Sequence, residues 1–235
     1  MKNLVSVVVP ALNEEKYIRN CLESLKKQDY KGEYEIIVSD GLSTDDTALI
    51  SRKYADKVVF EKSRTIAAGR QKGVSVAKGK IIAFTDADSQ VPPDWLSRLV
   101  APFDDKEVVC TYGSVFLYDG TALDRFIAKY IFLFFMHVMQ VFGKPNGAGS
   151  NMAFRKTTFK KVGGFNIDLA AGEDLDLLRK LKKHGKIVFA SDAKVFVSSR
   201  RMKKWGYLKF LLFHMSNMFK VQFEGKAEKT YEPIR

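Results

Sequence analysis

The chain has 235 residues, of which 46% are hydrophobic and 28% charged, a balance that excludes an intrinsically disordered protein and is ordinary for a globular one. Its formal net charge of +12 favours polyanionic partners such as nucleic acid, anionic lipid headgroups or a pyrophosphate-bearing substrate, although a solvated basic surface has the same composition. The cysteines, Cys21 and Cys110, lie far apart without a C-x-x-C motif, which excludes a disulfide framework and a cysteine metal set and indicates a reducing, cytoplasmic compartment.

Apolar strand-like runs alternate with helical segments along the first half of the chain. Strands are predicted over residues 4–10, 34–39, 57–61 and 80–85, and helices over 14–27, 45–54 and 64–77. This alternation predicts parallel β-α-β units with ligands at the carboxyl ends of the strands. The short first run indicates a buried strand rather than a signal peptide, and no stretch reaches the roughly 18 uninterrupted apolar residues of a transmembrane helix. We therefore predict an α/β domain over residues 1–200 with a basic tail over 201–235.

A pair of carboxylates, Asp86 and Asp88, follows the apolar strand that ends near Phe84. Alternate residues of a strand share a face, so both side chains can point the same way if the extended geometry continues. Two such carboxylates repel each other unless a cation or donor compensates, and Mg²⁺ or Mn²⁺ bound with a diphosphate is the natural solution. Gln90 can add a carbonyl oxygen. The alternative is an acidic turn that caps the helix after the following proline pair.

Polar residues also follow the first two predicted strands. Asp40 lies at a strand's carboxyl end, where a nucleotide base can be recognised, whereas Asp45 is better explained as a helix cap. Asn13, after the first strand, either caps the next helix or forms a wall of the same ligand crevice.

Two motifs stand out in the second half of the chain. Glu173 and Asp174 open a predicted helix, where the macrodipole favours acidic residues; the alternative is that a carboxylate here is a general base for an acceptor hydroxyl. Residues 146–151 are rich in small side chains that let backbone approach a ligand. This segment lacks the lysine of a P-loop and the G-x-G-x-x-G spacing, so by itself it predicts only a flexible loop.

Two apolar segments raise the question of a membrane. Residues 131–139 are aromatic and apolar all round, which predicts burial or contact with lipid. Residues 205–223 form an amphipathic helical pattern after a basic run, which suits an anionic membrane surface. The apolar face of this pattern comprises Leu208, Leu211, Leu212, Met215, Met218 and Phe219, and the polar face Lys209, Ser216 and Lys220. The alternatives are packing against the core or against a partner chain.

Several of these motifs together resemble the ordered signatures of family 2 glycosyltransferases. They are VVVPALNEE at 7–15, SDGLSTDDT at 39–47, DAD at 86–88, GGF at 163–165 and GEDLDL at 172–177, and the resemblance spans about residues 3–202. It implies a GT-A fold, in which helices flank a mixed, mostly parallel, Rossmann-like sheet. It also implies a nucleoside diphosphate sugar donor of the UDP or GDP type, an Mn²⁺ or Mg²⁺ cofactor and inversion at the anomeric carbon.

The resemblance assigns roles to individual residues. It places Pro10, Asn13, Glu14 and Asp40 around the nucleoside and Arg70 near the donor. It makes Asp88 the chief metal ligand, sets Asp86 by the ribose or the metal, and matches Gln90 to the D-x-D-x-Q arrangement of polyprenol-phosphate sugar synthases. Asp174 takes the position of the catalytic base, with Glu173 beside it.

The chain also departs from the family pattern in two places. The usual Asp-Asp-Gly-Ser is here Asp40-Gly41-Leu42-Ser43, which leaves open the base contacts after Asp40. The Gln-x-x-Arg-Trp motif of processive polysaccharide synthases is missing. In its region, Arg200 or Arg201 either offsets diphosphate charge as the leaving group departs or belongs to a basic surface turn.

The function expected from the sequence is an inverting, metal-dependent glycosyltransferase. Its acceptor would be lipid-linked or a glycan, and the chain would lie on the anionic inner face of the membrane. We expect no nucleic acid partner, because acidic residues at the strand ends would repel phosphate in the absence of metal. A soluble transferase of glycans or small molecules, a nucleic-acid-binding module and a non-catalytic nucleotide-sugar binder are the alternatives.

Overall fold

The computed structural model describes residues 4–169 and 171–221. Its sheet contains β1 (Val5–Ala11), β2 (Tyr34–Asp40), β3 (Lys57–Phe60), β4 (Ile81–Phe84), β5 (Ser89–Gln90), β6 (Val108–Leu117), β7 (Met152–Arg155) and β8 (Lys186–Val197). The α-helices are α1 (Ile18–Lys26), α2 (Thr47–Ser51), α3 (Ile66–Val76), α4 (Trp95–Val100), α5 (Ala122–Phe126), α6 (Leu133–Val141), α7 (Lys156–Lys161), α8 (Glu173–Leu181), α9 (Arg200–Trp205) and α10 (Tyr207–Phe219). A π-helical segment, Ile127–Phe132, joins α5 to α6, and 3-10 turns cover Ala101–Asp104 and Lys182–His184.

The strands form one mixed sheet in the order β3-β2-β1-β4-β7-β6-β8-β5. The half built from β1 to β4 is parallel, with β1 between β2 and β4. β7 runs antiparallel to both β4 and β6, β6 pairs in parallel with β8, and β5 is an antiparallel edge. The parallel half is where strands and helices alternate in the sequence, as predicted, and the whole arrangement confirms the α/β GT-A fold.

The parallel strands are buried on both faces, which explains their continuous apolar runs. In β1, Val5, Val7 and Val9 face a core layer that contains α1 and α4, while Val8 faces the opposite layer with α3. The same alternation occurs in β2 and β4. The fold therefore has two hydrophobic layers around the central sheet, and the loops at the strand ends are left to form a site.

Close packing of α3 against β1 depends on a glycine. A Cβ atom on Gly73 would lie 2.2 Å from Val8 Cγ1, so a larger side chain would push the helix away from the sheet. This contact fixes the position of Arg70, which lies one turn earlier on α3. Arg70, a candidate donor-site residue, is therefore positioned by a packed helix rather than by a loop.

Two predicted helix boundaries differ in the structure. The helix predicted over 14–27 begins at Ile18, because Asn13 adopts φ 55° and the N–H groups of Tyr17 and Ile18 both donate to the Glu14 carbonyl at 2.9 Å. Asn13 therefore does not cap α1. The helix predicted over 45–54 is confined to Thr47–Ser51.

The segments considered for membrane contact are helical and only partly buried. In α6, Met136 is buried, whereas Phe134 is 72% exposed. In α10, Met218 joins the second core layer, while Leu212, Met215 and Phe219 are exposed. The predicted apolar face is therefore divided between core and surface. The side chains of Leu208 and Leu211, and all residues from 222 onwards, lie outside the described part of the chain. No helix within the described ranges is both long and apolar enough to cross a membrane.

Candidate active site

Polar residues converge where β1, β2 and β4 end. The sheet register pairs Ala11 with Asp40 and Val8 with Phe84, so the loops after these strands emerge at one edge. These loops carry Asn13, Asp86 and the residues that follow them. The N-terminus of α8 reaches the same crevice through Arg70, which contacts both Asp86 and Glu173. The edge is the one that parallel α/β folds use for ligands.

The β1 and β2 loops are bound to each other by Asp40 and Asn13. Asp40 is fully buried, and its two carboxylate oxygens accept from Ser43 Oγ at 2.5 Å and Ser43 N at 2.9 Å. Asn13 Oδ1 accepts from Thr44 N at 2.9 Å, and Asn13 N donates to Ser43 Oγ at the same distance. Leu42 adopts φ 58° within this turn. Through these contacts, Asp40 and Asn13 hold the two loops together and form the scaffold of the crevice wall.

Arg200 lies on two acidic residues of the crevice. Its guanidinium donates to both Glu14 carboxylate oxygens at 2.8 and 2.6 Å, and its Nε lies 3.1 Å from Asp88 Oδ2. The guanidinium also stands 4.8 Å from the centre of the Tyr17 ring. Burial opposes the charge of Arg200, but Glu14 and Asp88 outweigh it and raise the arginine's pKa. Arg200 is thus a fixed cation at the metal-ligand position that the sequence predicts.

Asp88 is influenced by both Arg200 and acidic neighbours. Its pKa is raised to about 7, chiefly by burial; Arg200 lowers it, and the charges of Asp86 and Glu14 add to the rise. Asp86 and Asp88 lie in a turn between β4 and β5 rather than in extended backbone, so the predicted alternation of faces does not bring them together. They converge because the turn folds both towards the same crevice.

Arg70 joins the donor edge to α8. The side chain is only 2% exposed, and it bonds Asp86 Oδ1 at 2.8 Å and Glu173 Oε1 at 2.5 Å. Its guanidinium also lies 5.8 Å from the centre of the Phe84 ring. A Cβ on Gly149 would come within 2.1 Å of Arg70 Nη1, so the glycine-rich loop passes directly over the guanidinium. Burial opposes the arginine charge, but Asp86 and Glu173 raise its pKa overall.

Glu173 and Asp174 differ sharply in their surroundings. Glu173 is buried against Arg70, and burial together with the charge of Asp174 raises its pKa. Asp174 Oδ2 accepts from Gly149 N and its Oδ1 accepts from Leu175 N, both at 2.8 Å. Backbone N–H groups therefore orient Asp174, and the loop at 146–151 is an ordered partner of this carboxylate rather than a free segment.

The remaining predicted residues lie at the margins. The Cβ of Pro10 lies 3.3 Å from the position that a Cβ on Gly69 would take, so Pro10 packs against α3. Gln90 belongs to β5, where its backbone pairs with Phe196. The Arg201 guanidinium lies 5.5 Å from the centre of the Trp205 ring, and its charge adds to the desolvation that lowers the pKa of His214.

Two residues near Asp174 were not predicted from the sequence. α10 packs closely against the residue that precedes α8: a Cβ on Gly172 would lie only 2.7 Å from Asn217 Nδ2. One turn earlier, desolvation lowers the pKa of His214 while the charge of Asp174 raises it, so the two side chains lie within electrostatic range. A histidine and an asparagine inside an apolar helical pattern are the signal that points to this face.

The donor atoms suit a divalent cation only together with another ligand. Within the described ranges, no three His, Cys, Asp or Glu side chains surround a common metal position. The predicted set is two carboxylates and one amide, which are hard oxygen donors of the kind that Mg²⁺ and Mn²⁺ prefer. Asp88 Oδ2 is already paired with Arg200, and Asp86 Oδ1 with Arg70. Any such site would need the oxygens of a bound diphosphate to complete it.

The fold and this acidic crevice define a GT-A protein, and comparisons with known proteins agree. The family model described as Glycosyl transferase family 2 matches residues 6–163. Glycosyltransferase AglE of Haloferax volcanii is 30% identical over 200 residues, covering 80% of this chain and 64% of AglE. The chain belongs to glycosyl transferase family 2.

Two further similarities concern proteins with more specific descriptions. The mannosyltransferase PcManGT from Pyrobaculum calidifontis, solved in complex with GDP-Man and Mn²⁺, superposes with a TM-score of 0.76 at 24% identity, covering 97% of this chain and 66% of that one. The dolichyl N-acetyl-α-D-glucosaminyl phosphate 3-β-D-2,3-diacetamido-2,3-dideoxy-β-D-glucuronosyltransferase of Methanococcus voltae is 32% identical over 109 residues, covering 43% of this chain and 34% of the enzyme. The chain spans less than two thirds of the length of either curated relative.

Proposed function

We propose that the chain is an inverting, metal-dependent glycosyltransferase that takes a sugar from a nucleoside diphosphate sugar. The observation that carries the proposal is the Arg70 bridge, because it holds the donor-edge carboxylate Asp86 and the start of α8 in one crevice. The adjacent Asp174 is thereby presented to the place where a donor sugar would lie. The nucleotide sugar and Mn²⁺ named for PcManGT support the same ligand classes.

The nucleoside would lie against the wall formed by Pro10, Asn13 and Asp40. Because Ser43 already occupies both oxygens of Asp40, this residue supports the wall rather than supplying a free carboxylate. Asp40 is also fully buried, so its role would be to hold the wall against which the base lies.

The leaving diphosphate needs positive charge as the glycosidic bond breaks. Arg200 can supply it, because its guanidinium already stands between Glu14 and Asp88 at the crevice. A bound Mn²⁺ or Mg²⁺, held by Asp88 with Asp86 and Gln90, would offset the diphosphate charge. Arg201 lies on Trp205, so we assign it no contact with the diphosphate.

Inversion follows from a single displacement. The acceptor oxygen forms a bond to the anomeric carbon, the bond from that carbon to the diphosphate oxygen breaks, and the acceptor proton passes to a base. Asp174 is suited to be the base because two backbone N–H groups orient it and its oxygens keep lone pairs for an acceptor hydroxyl. Glu173 serves instead as the buried partner of Arg70. If the acceptor is an ionised phosphate, Asp174 would position it and no base would be needed.

The acceptor in this proposal is lipid-linked and reached at the inner face of a membrane. Exposed Leu212 and Phe219 on α10, after the basic run that begins at Arg200, favour a peripheral location. The dolichyl phosphate substrate in the name of the Methanococcus voltae relative supports a lipid carrier. In this scheme residues 201–235 form the membrane-facing tail of the transferase domain.

The metal assignment is tested by calorimetry of UDP and GDP binding with and without Mn²⁺. Asp88→Ala should abolish the metal-dependent part of the affinity while the fold persists, because Asp86 and Gln90 alone are too few strong ligands. The matched control is Asp94→Ala, which removes an exposed acid whose partner is Arg98. Metal-dependent affinity that is unchanged in Asp88→Ala would reject the assignment.

The base assignment is tested by turnover. Asp174→Asn should bind donor nearly as the wild type does but turn over about 10²-fold more slowly, the usual effect of losing general base catalysis. Asp168→Asn, at an exposed position, is the control and should retain full turnover. Normal turnover of Asp174→Asn would remove the catalytic role, and lost donor affinity would place Asp174 among the donor ligands instead.

A further inference from the structure

The segment around α6 leaves an apolar face uncovered. Met136 is buried in the second core layer, whereas Phe134 is 72% exposed and Val141, seven residues later on the same side of the helix, is 84% exposed. Phe142, directly after the helix, is 74% exposed. We call Phe134, Val141 and Phe142 the outer stripe. Apolar side chains grouped in this way on a protein surface mark contact sites.

A basic cavity lies at the end of the outer stripe. It has a volume of about 340 Å³ and is lined by Gly143, Lys144, Pro145, Arg179, Lys182 and Lys183. Gly143 turns the chain with φ 65°, and its carbonyl accepts from Lys182 Nζ. Two separate parts of the chain, the loop after α6 and the end of α8, thus bring four basic side chains around one cavity.

Arg179 lines the cavity from α8. Its Nη2 donates to Asp176 at 3.1 Å, but its Nε is buried and has no hydrogen-bond partner in the described part of the chain. Basic residues at the end of α8 are expected from the helix dipole alone. That expectation does not extend to Lys144, which comes from another segment. The helix dipole also does not explain the exposed outer stripe, which ends beside the cavity at Phe142.

The cavity is distinct from the donor crevice. α8 begins at Glu173 in the crevice, and Arg179 lies six residues further along, which corresponds to roughly 9 Å at 1.5 Å per helical residue. No residue that lines the cavity was assigned a role in donor binding or catalysis.

We propose that the basic cavity and the outer stripe form a docking surface for a membrane rich in anionic phospholipid. The cavity takes a phosphate headgroup, and the stripe enters the headgroup–acyl boundary beside it. The biological role of this surface rests on the proposed function, in which the acceptor lies in a membrane. The surface itself is separate from the donor site. A second copy of this chain is a poor occupant, because a symmetric contact would bring two basic cavities together in a chain of net charge +12.

Vesicle flotation with the full chain tests the surface. The vesicles are phosphatidylcholine alone or phosphatidylcholine mixed with phosphatidylglycerol, at low and physiological salt. The headgroup variant is Lys144→Gln/Lys183→Gln, and its matched control is Lys53→Gln/Lys72→Gln, which removes the same charge from exposed positions elsewhere.

The headgroup variant should lower partitioning onto phosphatidylglycerol vesicles by roughly 30-fold at low salt, since each basic residue near an anionic surface contributes about 1 kcal/mol. The control pair should lower it much less, and added salt should shrink the difference. Equal losses in the two pairs would overturn the cavity as a headgroup site and leave only a diffuse effect of net charge.

The apolar variant is Phe134→Ser/Val141→Ser, with Leu49→Ser/Ile167→Ser as its control at other exposed positions. It should reduce partitioning by roughly tenfold or more without lowering the melting temperature, because its side chains are solvated in the free chain. A wild-type dimer in light scattering that this variant dissociates, without vesicle binding, would make the face a contact between copies and overturn the proposal.

Calorimetry of nucleoside diphosphate binding separates the two levels of inference. All four variants should bind UDP or GDP as the wild type does. A chain that binds vesicles through the cavity but binds no nucleotide would refute the proposed transferase and support the lipid surface. A chain that binds nucleotide but no vesicles would support the transferase and overturn the lipid surface.

Discussion

Replacing Arg70 with methionine tests whether the buried ion network holds the active site together. Methionine keeps the length and much of the volume of the side chain but removes the charge and both ion pairs. Glu173 would then be buried with no countercharge within hydrogen-bond distance, and Asp86 would lose its bond from α3. Losing one partner of a buried pair is far more damaging than losing a surface pair, because the remaining charge is left in a poorly solvated place.

The expected cost is about 3–5 kcal/mol of unfolding free energy, the range for breaking a buried pair from one side. For a domain of this size that corresponds to a melting temperature lower by about 10 °C. The penalty should depend on pH. Without Arg70 the pKa of Glu173 rises further, so the variant can neutralise the acid at low pH and should be closest to the wild type there.

Chemical and thermal unfolding at acidic and mildly alkaline pH provide the measurement. The double variant Arg70→Met/Glu173→Gln should recover a large part of the loss, because no uncompensated charge remains. Arg98→Met is the surface control: Arg98 pairs with Asp94 in solvent and should leave the melting temperature nearly unchanged. Nucleotide calorimetry on the same proteins reports whether the crevice survives with the fold.

The ion network would contribute no more than an ordinary surface pair if Arg70→Met unfolded within about 1 kcal/mol of the wild type at mildly alkaline pH. The same would hold if the double variant were less stable than Arg70→Met. Either result would mean that Arg70 is not the countercharge of Glu173 in solution.

Two further predictions concern charge in the crevice. Because Arg200 lies on the carboxylate of Asp88, Arg200→Gln should let Mn²⁺ alone bind more tightly in calorimetry, whereas Arg201→Gln should not; weaker Mn²⁺ binding by the Arg200 variant would contradict the competition. Burial raises the pKa of Glu173 to about 7, so the folded chain holds this proton more tightly than the unfolded chain between about pH 4.5 and 7. The unfolding free energy should therefore fall as pH rises through that window, and Glu173→Gln should flatten the fall in urea titrations; parallel curves would reject the shift.

Local pattern predicted the parallel half of the fold well. Runs such as residues 7–9 in β1 and residues 36–38 in β2 are continuously apolar because both faces of a parallel strand are buried, and this property is visible in the sequence. The order of the acidic motifs also predicted that Asp40, Asp86 and Asp88 follow strands at one sheet edge. Helix boundaries were less predictable, because a single positive φ at Asn13 delayed the start of α1.

The partners of the charged residues could not be read in the same way. Arg200 contacts Glu14 across 186 positions of sequence, and Arg70 contacts Glu173 across 103. Nothing local distinguishes Arg200 from Arg201, yet one lies on Asp88 and the other on Trp205. The choice depends on how the chain enters α9, where Asp119, 80 positions earlier in the sequence, accepts from Ser199 N at 2.6 Å.

Strand burial and motif order are local properties, so the class of fold, the family and the expected ligand edge of the sheet could be predicted from the sequence. The tertiary structure organises that edge: Glu173 is buried against Arg70, and Asp174 accepts from Gly149 N in the glycine-rich loop. It also decided which face of α6 packs on the core and which joins Lys144 and Arg179 at the surface. The physical reason is that charge pairing and exposure depend on the distances between segments, and those distances exist only after the two core layers have packed around the sheet.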